Sequence, residues 1–153
     1  MNAPRPDEHH EKLTSLAGTW SGNEKMHPSP WLPDGGEATS TVVMRAALGG
    51  FAVVIDYEQR MGDAVTYSGH GVYTVDPQSR DVVLHWFDSM GGQHEEFRGS
   101  WSGDVLTVQS RTPMGFMRLS YDYSAPDTLK NSAEMSSDGE MWTRMFDGHL
   151  KRS

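Results

Sequence analysis

From Thr19 onward, turn signals cut the chain into short runs, and within each run apolar and polar side chains alternate. Period-two alternation marks half-buried strands, and turn residues at close, regular intervals mark an antiparallel sandwich or barrel. The runs are Thr19–His27, Glu37–Ala46, Phe51–Arg60, Val65–Val75, Val82–Asp88, His94–Trp101, Val105–Ser110, Phe116–Tyr123, Leu129–Ser136 and Glu140–Leu150. Gly-, Pro- or Asp-containing turns separate them, among them Met61-Gly-Asp63, Gly103-Asp104 and Ser137-Asp-Gly139. The pattern predicts an all-β fold: an antiparallel barrel of about ten strands with a short N-terminal helix. Pairing of the first strand with the last would leave no open edge.

Met1 to Pro6 is polar and proline-containing and is read as disordered or extended. The helix is expected over 7–17, capped by Asp7, with His9, Leu13 and Leu16 on one face and Gly18 as its stop. Gly18-Thr-Trp-Ser-Gly22 then opens the first strand. Trp20 is suited to plug the closed end of a barrel, and parity sends Glu24 inward with it. A buried carboxylate is costly unless it is hydrogen-bonded or paired. The following stretch, His27 to Gly36, holds three prolines and two glycines and predicts a stiff loop. Its Trp31 either hangs over the barrel mouth or lies against the wall. Gly69 and Gly71 inside a strand predict a bend or a close backbone approach.

At 153 residues the chain is read as one domain, 1–153, long enough to bury a core. It has no cysteine, which excludes disulfides and thiolate-bound metal. A net charge of −8 argues against nucleic-acid partners and anionic membrane surfaces. No apolar leader opens the sequence and no apolar run approaches the roughly 20 residues of a membrane helix, so the expected location is the cytoplasm. Ten Met and five Trp fit a soft core or a cavity for a flat or flexible apolar molecule. The expected partner is therefore a small hydrophobic ligand. A homodimer stays open.

The strong catalytic motifs are absent: no phosphate loop, no Gly-x-Gly-x-x-Gly, no Gly-x-Ser-x-Gly and no His-Glu-x-x-His. Candidate lining for a ligand is Glu24, His27, Trp31, Tyr57, Trp86 and Met90. Arg98 is added as a group able to neutralise an inward carboxylate or hold a ligand's carboxylate. For the alternative of a small-molecule enzyme (a cyclase, isomerase or lyase), His85, His70, Glu58 and Asp88 are the proton-moving candidates. Parity places His85 and Asp88 on opposite faces of their strand unless a bulge intervenes. His27, His70 and His85 show no metal-ligand spacing, so no metal site is assigned.

Six stretches carry a family resemblance: Leu16-Ala-Gly-Thr-Trp-Ser-Gly22, His27-Pro-Ser-Pro-Trp31, Asp56-Tyr-Glu-Gln59, Ser68-Gly-His-Gly-Val72, His85-Trp-Phe-Asp-Ser89 and Phe97-Arg-Gly-Ser-Trp101. In these the chain resembles the bacterial domain-of-unknown-function family numbered 1579, over nearly its whole length. The resemblance implies a calycin-like barrel, related in architecture to lipocalins, fatty-acid-binding proteins and nitrobindin-type haem barrels. The opening Gly18-Thr-Trp-Ser-Gly22 is also similar to nitrobindin, where a late histidine ligates haem. The corresponding late histidine here is His149. No cofactor is otherwise expected.

Overall fold

The computed structural model describes residues 2–153; Met1 lies outside the described residues. Residues 2–6 carry no regular element. The helix α1 (Glu8–Thr14) begins at Asp7, whose side chain accepts from the His9 N–H, and His10 Nδ1 accepts from the Asp7 N–H in return. This reciprocal cap ties down the start of the helix. The helix is shorter than 7–17 because Leu16 and Ala17 bond back to Leu13 and Thr14, tightening the last turn into a bend. Its buried face is His10, Leu13 and Leu16, not His9, which is exposed. His10 meets the Phe51 ring edge-on at 5.1 Å.

Ten strands follow: β1 (Gly18–Met26), β2 (Gly36–Ala47), β3 (Ala52–Met61), β4 (Ala64–Val75), β5 (Val82–Asp88), β6 (Glu95–Ser102), β7 (Val105–Thr112), β8 (Gly115–Asp122), β9 (Thr128–Ser136) and β10 (Thr143–Arg152). Each pairs antiparallel with its neighbours in sequence, and β1 pairs with β10 from Trp20↔Arg152 to Met26↔Phe146. The sheet is a closed barrel, so no edge remains to template a foreign strand. β10 starts at Thr143, later than the alternation suggested. Asp138 accepts from the Glu140 and Met141 N–H groups and holds that segment as a loop.

Parity makes the two ends of the barrel different. At one end α1 lies across β3 and β4, and Trp20, 1 % exposed, fills the interior beneath it. The indole donates to the Leu16 carbonyl at 2.9 Å, and the Arg152 guanidinium stacks over its ring. The core of this half is Leu13, Val53, Tyr73, Leu84, Phe97, Leu106, Val108, Leu129 and Leu150. Removing a side chain as large as Trp20 from such a core costs about 3–5 kcal/mol. At the other end four separate loops expose Trp31, Met90, Met114 and Met141. No helix among the described residues is long and apolar enough to cross a membrane.

Candidate ligand-binding site

The interior near the open end is polar and aromatic where the other half is aliphatic. Glu24 stands on β1 two residues below the mouth and is fully buried. Across β2, its neighbours Ala38 and Ser40 are small, which lets Glu24 reach the longer side chains of β3. There the Tyr57 hydroxyl donates to both carboxylate oxygens, at 2.6 and 2.7 Å. Gln59 Nε2 donates to Oε2 at 3.0 Å. Burial first, and then the charge of Glu24, push the Tyr57 hydroxyl far above the usual phenol range. Tyr57 is therefore a fixed donor.

A second polar chain continues along the adjoining strands β4 and β5. Trp86 lies flat over β4, in space that Gly69 and Gly71 leave free: a Cβ at Gly69 would fall 1.9 Å from the indole. This is the close approach that the in-strand glycines predicted. The indole N–H donates to the Tyr67 hydroxyl at 3.0 Å, and Tyr67 donates to Asp88 at 2.8 Å. Glu95 shares the face of Trp86 across β5 and β6. Burial, and then the charge of Asp88, raise the Glu95 carboxyl above its ordinary value. Tyr57 and Tyr67 meet edge to face at 5.8 Å and join the two groups.

Half-buried methionines stand above this cluster at the open end of the barrel. Met117 and Met135 are cross-strand partners on the inner face, and the Met61 methyl covers Gly36. Met26 accepts a weak bond from Gln59 through its sulfur at 3.4 Å. Thioether side chains repack with little cost, so this layer suits an entrance that opens around a guest.

The other sequence candidates lie elsewhere. Glu24, Tyr57, Trp86 and Asp88 are brought together around the inner walls. Trp31 and Met90 are 63 % and 73 % exposed on mouth loops. His27 sits on the outer face against Asp147 at 2.6 Å. Arg98 also turns outward, paired with Asp76 at 2.9 Å and Glu96 at 3.2 Å; it neutralises no inward carboxylate. His70 faces out against Asp56 at 2.6 Å, and Glu58 faces out against Arg60 at 2.7 Å. His85 also faces out, 3.3 Å from Thr74 and stacked on His94. His85 and Asp88 therefore stand on opposite faces, as parity required. An open groove of about 630 Å³ on the outside of β2 to β5 collects the outer-face residues His70, Asp56, Glu58 and Phe87. The proton-moving candidates thus share no interior chamber.

His149 is exposed on the outer face of β10, opposite Asn23 and Lys130, so it offers no ligand to the interior. Among the described strand residues, no histidine points inward. The residues missed by sequence reasoning are Gln59, Tyr67, Glu95 and the buried His10. Gln59 was within reach, since it continues the inward parity of Tyr57.

The family model described as "Protein of unknown function (DUF1579)" matches residues 5–152. The chain belongs to the DUF1579 family. No curated protein matches the sequence. Among solved structures, the chain is similar to Rv2717c from M. tuberculosis, at 22 % identity and a TM-score of 0.70, covering 96 % of this chain and 98 % of that one. It is also similar to the S-type phycobiliprotein lyase CPES from Guillardia theta, at 11 % identity and a TM-score of 0.63, covering 95 % and 91 %. At these identities the likeness establishes a shared barrel fold.

Proposed function

We propose that this DUF1579 protein binds a small hydrophobic or aromatic molecule inside the barrel, between the methionine layer and Glu24. One observation carries the reading: a buried polar cluster stands directly beneath a soft, Met-lined mouth, flanked by Tyr57, Tyr67 and Trp86. Pockets that hold small molecules combine apolar and aromatic walls with a few convergent polar groups. The phycobiliprotein lyase named above shares this barrel architecture, which is compatible with a small-molecule guest.

Diphenylhexatriene, an uncharged hydrocarbon whose fluorescence rises in apolar surroundings, tests the reading. It is expected to bind with saturable enhancement and to quench Trp86. Trp86→Ala is expected to weaken it about tenfold, the loss of one large aromatic contact. An unsaturable signal, or equal binding by Trp86→Ala, would contradict the reading.

A further inference from the structure

Three carboxylates face the barrel interior near the mouth, Glu24, Asp88 and Glu95, and none has a cation beside it. Parity and register assign all three inward: Glu24 shares the face of Trp20, while Asp88 and Glu95 share that of Trp86. The ion pairs among the described residues involve outer-face or closed-end groups and none of these three acids. At and above the level of Glu24, no described Lys, Arg or His points inward. Tyr57 and Gln59 supply two hydrogens to the Glu24 carboxylate, which has about four acceptor positions. Close to it, Asn131 Oδ1 and Ser40 Oγ are buried without any hydrogen-bond partner. Asn131 Oδ1 fills the space beside Gly148, the β10 partner of Glu24, and Ser40 pairs with Gly22 on β1 and with Gln59 on β3. This part of the interior therefore holds three carboxylates, an unpartnered amide oxygen and an unpartnered hydroxyl, the last able to donate or accept.

Buried acceptors without donors cost free energy that a matching guest recovers. A carboxylate guest would meet three acidic side chains there and no basic one. We infer that the molecule held in this barrel carries a protonated amine or other N–H nitrogen, which Glu24, Asn131 and Ser40 receive while its apolar body lies against Trp86 and Tyr67. This inference rests on the proposed barrel site and specifies the chemistry of its guest.

A matched pair of dansyl probes separates the two ideas: dansylcadaverine ends in an ammonium, and 6-(dansylamino)hexanoate in a carboxylate. The titrations are made in about 0.5 M salt, which screens the attraction due to net charge alone. Wild type is expected to bind the ammonium probe at least tenfold more tightly. Glu24→Gln is expected to reduce that preference to threefold or less. Glu95→Gln, at the half-buried mouth, is expected to reduce it partially and guards against a folding defect in the deeper variant. Retained diphenylhexatriene binding certifies that each variant keeps its chamber. Equal affinity for the two probes in wild type, or a preference that survives both substitutions, overturns the inference. If the hydrocarbon binds without any preference between the charged probes, the guest's nitrogen is refuted and the barrel site stands. If no probe binds, both fall.

Discussion

Glu24 is where sequence, stability and the proposed binding meet in one side chain. A lone buried carboxylate is costly, and here Tyr57 and Gln59 offset the cost. Tyr57→Phe would strip a donor from a buried charged acceptor and is expected to destabilise the protein by about 1–3 kcal/mol, read by urea unfolding. An unchanged unfolding midpoint would show that the contact contributes nothing. The inward turn of Glu24 was legible, because Trp20 and Glu24 lie an even number of residues apart. Its partners were less so. They sit two strands away, and only the small residues Ala38 and Ser40 on the strand between allow the contact. The outward turn of Arg98, His70 and Glu58 is a result of the same parity, yet which face of each strand is inner depends on closure of the whole sheet.

At the scale of elements, α1 is held by its first turn. Burial works against ionisation of Asp7, but the His9 N–H and Arg80 outweigh it and hold the carboxyl down at about 2. A depressed folded value means stability that is present above the ordinary carboxylate value of 3.8 and is lost as pH falls towards about 2. Asp7→Asn is therefore expected to melt at a lower temperature than wild type at pH 6, with the gap closing between pH 4 and about pH 2. A gap that stays constant across this range would place the effect outside ionisation. The cap was readable from Asp7 alone, whereas the buried role of His10 was not. It depends on Phe51, which the turn after β2 delivers from far along the chain. Gly69 and Gly71 gave a correct signal of close approach, while the indole that approaches them was identifiable only once β4 and β5 were in register.

At the scale of the whole molecule, closure of β1 on β10 gives a barrel with one aliphatic, helix-capped end and one polar, Met-lined end. Strand number, order and the closing pair follow from alternation and turn spacing, which are local properties of the chain. The contrast between the two ends is not local, since it sums one or two residues from each of ten strands. That contrast sets the end proposed to hold a ligand apart from the end that anchors the fold. Methionine methyl groups report on both. Met26, Met61, Met117 and Met135 lie at the mouth, and Met44, 2 % exposed, lies towards the closed end opposite Gly18. The decisive measurement is ¹³C-methyl NMR of the methionines during titration with diphenylhexatriene. The account predicts saturable shifts at Met26, Met61, Met117 and Met135 with Met44 unmoved. Shifts confined to exposed loop methionines such as Met90 and Met114, or none at saturation, would contradict a ligand chamber inside the barrel.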